Sequence, residues 1–316
     1  MDQLKLLTYI LLIISSLWFS SCSSSTKKVN RETPTQGNIK MAFDNSYQLL
    51  VDAELYTFHS LYTNAKITPI FASEDSILKL FLADTVNVIM TSRKITENEE
   101  AYLKSKLIIP RTTKIAYDAV AFIINKSNGD SLIRYNTIRD IFLGKVSSWK
   151  QINPASKLGD IQVVFDDPGS NNVQLVMNKF EIKGSLPKYC NATTSNADVV
   201  SYVEKHPNSI GILSVNWISD PSDSISHSFL KKIKVVYISA EYNSDGDDFY
   251  SPHPAYIADR SYPFIRDVYM INKETFSGLG TGFTSFVASD PGQRIVLRMG
   301  MVPSTMPVRL VEIKKN

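Results

Sequence analysis

The chain has 316 residues, 43% of them hydrophobic and 21% charged, the balance of a folded soluble protein rather than a fibrous or low-complexity one. That length exceeds the usual span of one core, so two lobes are expected. Its 34 Lys and Arg and 31 Asp and Glu give a formal charge of +3, interspersed without a basic stripe, which argues against a nucleic-acid partner.

In chain order, Lys5 precedes the apolar segment Leu6–Phe19 and then Ser20-Ser21-Cys22. The segment is short of the ~20 residues needed to span a bilayer and has the shape of a secretory signal. The small residues before Cys22 resemble a lipobox, with Phe19 where Leu is usual. This implies a signal peptide over residues 1–21, cleavage before Cys22, lipid on its sulfur and attachment to a bacterial membrane. An uncleaved anchor, or a plain signal cut elsewhere, are the alternatives. Ser23–Gln36 is polar and reads as a flexible tether, so residues 22–37 are assigned to it. With Cys22 lipidated, Cys190 is the remaining thiol and no intramolecular disulfide can form. Cys190 reads as a small buried side chain rather than a nucleophile.

Strand Ile39–Phe43 opens the folded part, followed by Asp44-Asn45-Ser46 and a helix with apolar residues at Tyr47, Leu50, Val51, Leu55, Phe58 and Tyr62. The unit recurs. Lys66–Phe71 is a strand, Ala72-Ser73-Glu74 a loop and Asp75–Leu82 a helix. Val86–Met90 is a strand, Thr91-Ser92-Arg93 a loop, and Thr96-x-x-Glu99 a capping box. Three such units in succession predict a parallel α/β lobe. Lys114–Asn125 is apolar almost throughout and reads as a strand covered on both faces, of the kind found in parallel sheets. It either carries the chain into a second lobe or is the central strand of one large sheet.

Beyond it, Thr137-x-x-Asp140 signals a short helix ending at Gly144. Ile161–Phe165 is a strand that leads through Asp166–Asn172 into a helix ending near Phe180. Ser195-x-x-Asp198 caps another helix, and Ser209–Ser214 and Lys234–Ile238 are strands. The return to the first lobe is placed near Lys234. Val268–Ile271 is apolar, Thr281-Gly282 precedes one helix, and Asp290-Pro291 supplies an N-cap and N1 proline for the last.

Five strings in this order, IAYDAVAFIIN, TIRDIFLGKVSSW, SIGILSV, YPFIRDVYMIN and GQRIVLRMGMVP, resemble the PstS-like, phosphate-binding branch of the ABC-transporter substrate-binding proteins in their bacterial lipoprotein form. The resemblance covers roughly residues 38–312. It implies a type II periplasmic-binding-protein fold of α/β class: two lobes joined by two crossover segments, with a ligand cleft between. On that frame, residues 38–115 and 234–316 make lobe 1 and residues 116–233 make lobe 2.

Strand–loop–helix units place ligands at the carboxyl ends of strands, where free backbone N–H groups and the helix dipole favour an anion. Four loops qualify, and their candidate ligand-binding residues are Asn45, Ser46, Tyr47, Ser73, Thr91, Ser92, Arg93, Gly169, Ser170, Asn171 and Asn172. Ser46, Ser73 and Ser170 also suit plain helix capping. The family's Arg-x-Asp-Gly-Ser-Gly-Thr loop is matched by Gly169-Ser170 but has Asn171-Asn172 in place of Gly-Thr, and Val164 or Phe165 in place of the arginine. Arg93, the sole arginine of the four loops, is the candidate to replace that charge, unless it is a solvated surface residue. Arg93→Ala is therefore expected to weaken anion binding most, with Ser170→Ala intermediate.

Asp166 and Asp167 are adjacent and point to opposite sides of a strand end, so they make no carboxylate dyad. The four histidines are scattered, and no HExxH, nucleophile elbow or P-loop occurs. The chain is expected to be no enzyme and to need no cofactor and no metal. The leading expectation is a lipid-anchored, monomeric solute receptor facing the periplasm or exterior. It would capture phosphate or a similar small oxyanion for an ABC permease. The alternative is a ligand-sensing or adaptor envelope protein that keeps the fold without transport.

Overall fold

The computed structural model describes residues 32–219 and 224–306. The apolar leader, Cys22 and the tether as far as Arg31 lie outside the described residues. The described unit begins at Glu32, inside residues 22–37 assigned to the tether. Thr33 bridges Gln36, and the Glu32 carboxylate accepts the backbone N–H of Leu279 at 3.0 Å.

The strands are β1 Gly37–Asp44, β2 Ala65–Ala72, β3 Val88–Thr91, β4 Arg111–Asn125, β5 Leu132–Ile133, β6 Gln162–Phe165, β7 Cys190–Ala192, β8 Ser209–Ser214, β9 Ile233–Val235, β10 Tyr237–Ser239, β11 Phe249–Tyr250, β12 Ile265–Asn272 and β13 Val302–Pro303. The helices are α1 Gln48–Leu61, α2 Glu74–Leu82, α3 Glu97–Ser105, α4 Tyr135–Phe142, α5 Trp149–Ile152, α6 Asn171–Lys179, α7 Asn196–Lys205, α8 Ser224–Leu230, α9 Pro254–Ala258, α10 Leu279–Val287 and α11 Asp290–Arg298. Among the described residues, ten strands form a continuous curled sheet whose path runs β2-β1-β3-β12-β4-β8-β6-β7, and β5, β10 and β11 make a small second sheet.

The parallel units appear as expected: β1 pairs in parallel with β2 on one side and β3 on the other. β4 joins the two halves. Its residues Arg111–Ala119 pair with β12, while Val120–Ile124 pair with β8 and Ile123–Asn125 with β9. All these pairings are antiparallel, which corrects the expectation of a parallel setting. A continuous apolar run reports burial on both faces, and Ile115, Ala116 and Ala119–Ile124 are indeed fully buried. Direction is decided by connections far along the chain, which the run does not encode. Lys234 lies in β9, which pairs with the second-half end of β4. The chain returns to the half of the sheet that carries β1, β2 and β3 at β12, Ile265, later than the expected return.

Local signals set several ends. The Thr96–Glu99 capping box is formed, with Thr96 Oγ1 accepting from Glu99 N at 3.3 Å and Glu99 Oε2 from Thr96 N at 2.7 Å. Ser195 caps α7 through Asp198 N, and Gly144 takes the left-handed φ of +76° that ends α4. Other ends were displaced. α4 starts at Tyr135 rather than near Thr137, because Tyr135 N–H donates to Ser239 Oγ of β10 at 2.9 Å. α10 starts at Leu279, ahead of Thr281-Gly282, because Glu274 accepts from Gly280 N at 2.8 Å and from Thr281 N at 2.7 Å. The last helix begins at Asp290 with Ser289 in the cap position, one residue before the expected Asp290 cap. Cys190 is half-buried in β7, and burial pushes its thiol up to about 12, so it is not poised as a nucleophile.

Candidate functional site

The four candidate loops all leave carboxyl ends of strands, and tertiary structure links each to at least one of the others. After β1, Asp44 accepts from Ser46 N at 2.8 Å and turns the chain through Asn45–Tyr47 into α1. Ser46 Oγ donates to Asn171 Oδ1 at 2.9 Å, so the loop after β1 touches the loop after β6 directly. Gly169 faces Ser73: a Cβ at that glycine would sit 3.6 Å from Ser73 Cβ, an ordinary contact distance that brings the loops after β2 and β6 together. Ser73 Oγ is engaged with Ser76 Oγ at 2.9 Å. Thr91 and Ser92 are held by Glu74, whose Oε1 accepts Thr91 Oγ1 at 2.5 Å and Ser92 N and Oγ at 2.8 Å each.

Ser170 acts as the N-cap of α6, accepting from Asn172 N at 3.2 Å. Its hydroxyl donates to Asp166 Oδ1 at 2.5 Å. Asp167, one residue on, accepts from Gly169 N at 2.7 Å. The neighbouring acids therefore serve different partners, consistent with opposed directions at a strand end.

Arg93 is placed differently from the rest. Its guanidinium grips Glu99 bidentately at 2.8 and 2.9 Å and also donates to Lys94 O at 3.0 Å. Glu99 is pushed down to about 2, chiefly by that bond. Arg93 borders a cavity of about 280 Å³ with Glu74, Asp75 and Gly169, at the edge of the loop cluster and already paired.

The charge at the centre comes from Arg266 of β12, outside the four candidate loops. Arg266 of β12 stands directly opposite Asp118 of β4 in the antiparallel register. The side chains of this ion pair are 4% and 0% exposed and meet at 2.7 Å, and Ser214 Oγ donates to the same carboxylate at 2.8 Å. Arg266 Nη2 donates to Asn172 Oδ1 at 2.8 Å, and Nη1 to Asn171 Oδ1. The guanidinium lies 5.3 Å from the centroid of the buried Tyr47 ring. Asn216 Nδ2 and Trp217 Nε1 both donate to Ser46 O, at 2.7 and 2.9 Å, and so fix the loop after β1 from the opposite side.

A signal for this pair was present. YPFIRDVYMIN and KIAYDAVAFIIN each carry a charge inside an apolar strand, and Arg266 shares the parity of the buried Phe264 and Val268. A buried charge on a core-facing position needs a partner. Pairing the strands supplies it.

Around the guanidinium, two buried donors, Tyr47 Oη and Asn171 Nδ2, have no partner among the described residues. Such groups are rare in native interiors, because each costs about 1–3 kcal/mol. Burial raises the nearby acids. Burial, with the Glu74 carboxylate beside it, pushes Asp44 up to about 7 against the pull of Arg266. Burial raises Asp166 and Asp118 as well, with Arg266 pulling back on both. One fixed positive charge, neutral N–H and O–H donors, and acids able to take or share a proton can hold a small, partly protonated oxyanion.

Several known proteins are similar to this chain. The phosphate-binding protein PstS of Staphylococcus saprophyticus is 26% identical over 209 residues, which are 66% of this chain and 61% of that protein. PstS of Staphylococcus aureus strain USA300 is 27% identical over 243 residues, 73% of this chain and 68% of that one. Among solved structures, a Clostridium perfringens protein crystallised with bound phosphate aligns with a TM-score of 0.70 at 21% identity, covering 84% of this chain and 99% of its own. An ABC-type phosphate transport receptor from Vibrio cholerae aligns at 0.62 with 16% identity, covering 85% and 100%. These structural likenesses establish the fold. The family model described as a PBP superfamily domain matches residues 28–291 of the 316. The chain therefore belongs to the PBP superfamily, as a PstS-like member with the type II periplasmic-binding-protein fold.

Proposed function

We propose that the protein is an extracytoplasmic solute-binding protein that captures phosphate, or a closely similar oxyanion, for an ABC transporter. The observation that carries this reading is Arg266: a buried guanidinium at the amino end of α6, beside the unpartnered donors Tyr47 Oη and Asn171 Nδ2. Helix amino ends and charge-assisted donors favour oxyanions. Asp44, with its carboxyl near neutrality, shares the proton of monohydrogen phosphate instead of repelling it. The PstS relatives are named for binding phosphate, and the Vibrio cholerae neighbour for its transport, which supports the same ligand class and a permease partner. In this reading the lobes divide within β4, after Ala119, and again ahead of Ile265, so ligand draws them together.

Calorimetry with phosphate, sulfate and small carboxylates on the purified protein tests it. Phosphate at a hundredfold excess over its dissociation constant is expected to stabilise the fold by about 2.7 kcal/mol and to compact it in small-angle scattering. If no oxyanion gives heat or raises Tm, the second reading takes over, a sensor or adaptor that keeps the fold without transport. One observation favours that reading: Asp118, Asn171 and Asn172 already meet Arg266 from within the chain.

Attachment through Cys22 is part of the proposal. Cys22→Ala is expected to shift the protein from the membrane fraction to the soluble one. Unchanged fractionation, with no lipid on the wild-type cysteine, would remove the anchor. Among the described residues no helix is long and apolar enough to cross a membrane.

A further inference from the structure

The guanidinium of Arg266 is occupied from within the chain. Its Nε donates to Asp118 Oδ2 at 2.9 Å, and Nη2 lies 2.7 Å from an oxygen of the same carboxylate. Nη2 also donates to Asn172 Oδ1 at 2.8 Å, and Nη1 to Asn171 Oδ1, so all three nitrogens are engaged. Asn171 and Asn172 are 3% and 0% exposed, which shields these bonds from water.

The two amide oxygens reproduce part of what an oxyanion brings. They meet the two terminal nitrogens of one planar fork, the arrangement in which arginine takes two oxygens of a carboxylate or phosphate. Asn171 Oδ1 also receives the Ser46 hydroxyl at 2.9 Å, so donors from two separate elements converge on it. The imitation is incomplete. Tyr47 Oη, Asn171 Nδ2 and Asn216 Oδ1 are buried and have no partner among the described residues. Asn216 belongs to the same cluster through Nδ2, which donates to Ser46 O at 2.7 Å. A monoprotonated oxyanion carries both acceptors and a donor, whereas the amide oxygens supply acceptors alone.

We propose that Asn171 and Asn172 are a built-in competitor for the ligand: their side-chain oxygens hold the guanidinium, and an oxyanion must displace them to bind. This rests on the oxyanion reading of the Arg266 site and adds what regulates its affinity. The apparent affinity is the intrinsic one reduced by the fraction of molecules in which the amides have let go. Asn172 is the cleaner probe, because Asn171 also carries Nδ2, a donor that the reading gives to the ligand. Asn172 Nδ2 donates to Asp166 Oδ1 at 3.2 Å, and that oxygen keeps the Ser170 hydroxyl when Asn172 is shortened.

The test is calorimetry with inorganic phosphate on the full chain, for the wild type, Asn172→Ala and Asn172→Ser. Serine keeps a hydroxyl but is one atom too short to reproduce Oδ1. Both variants are expected to bind about tenfold tighter than wild type, because a hydrogen bond to a charged group no longer has to be broken. A residue that only positions Arg266 would do the opposite, since its loss would loosen the guanidinium. If neither variant binds tighter than a phosphate-binding wild type, the proposal is overturned while the oxyanion site stands. Binding by a variant where the wild type gives no heat would support it, with the site shut by its own asparagines. Failure of all three proteins to bind would remove the site, and this inference with it. A crystal structure of the wild type with phosphate decides the point if the variants do not fold. A phosphate oxygen is expected at Nη2 in place of Asn172 Oδ1, and Asn172 Oδ1 still on Nη2 beside bound phosphate would overturn the proposal.

Discussion

Arg266→Ala is expected to abolish phosphate binding and to destabilise the fold by about 3–5 kcal/mol, the penalty for leaving a buried carboxylate without its cation. Asp118 is fully buried, and without Arg266 its carboxylate keeps neutral donors, the Ser214 hydroxyl and the Ala119 N–H, and no cation to pair with. The two effects are separable. Arg266→Met combined with Asp118→Leu removes both charges and should recover most of the stability, while phosphate binding stays lost. Arg266→Lys keeps a charge but cannot fork between Asp118, Asn171 and Asn172, so it should bind weakly. Arg93→Ala provides the contrast. Its pair with Glu99 is 34% and 18% exposed, worth ~0–1 kcal/mol, and phosphate affinity should stay near wild type. Urea unfolding and calorimetry on the same preparations check all four. Wild-type phosphate affinity in Arg266→Ala, or loss of binding in Arg93→Ala alone, would return the site to Arg93.

The second large effect is on pH dependence. Asp44 has its carboxyl raised from 3.8 to about 7, first by burial and then by Glu74. Between those values the folded state holds a proton that the unfolded chain has released. Stability therefore falls as pH rises from about 4 to about 7. At about 1.4 kcal/mol per pH unit, Asp44 alone accounts for ~4 kcal/mol over that window. Asp118 and Asp166, raised by burial, act with the same sign. Glu99 has the opposite sign. Its carboxyl is pushed down to about 2, so its contribution is present above the ordinary value of 4.5 and is lost as pH falls toward 2. Asp44→Asn keeps an oxygen to accept the Ser46 N–H and cannot ionise. It should flatten the decline and raise Tm above pH 7. Melting curves from pH 4 to pH 8 for both proteins give the answer, and an identical slope in the variant would refute the role of Asp44.

How much of this was readable in the chain depended on the range of the interactions involved. The sequence alone determined the features whose causes lie within a few residues. The Thr96–Glu99 box, the Ser195 cap, the Gly144 terminus and the apolar stripe of α1 are interactions between near neighbours, so spelling them specifies them. The loops at the ends of β1, β2, β3 and β6 followed from the same local patterns, and the family resemblance ordered them into two lobes. Tertiary structure decided what depends on distant partners. The antiparallel setting of β4 comes from β8, β9 and β12, all well over fifty residues away. The early start of α10 is set by Glu274, six residues from Gly280, together with the distant Glu32 carboxylate, which accepts from Leu279 N. The two arginines differ most in the range of their partners. Arg93 found Glu99 six residues away and was neutralised locally. Arg266 had no local partner, so burying it required Asp118 on the facing strand and the two asparagines of the α6 turn. A charge inside an apolar strand announces that a partner must exist; only the pairing of strands names it, because the cost of burial is met across the sheet and not along the chain.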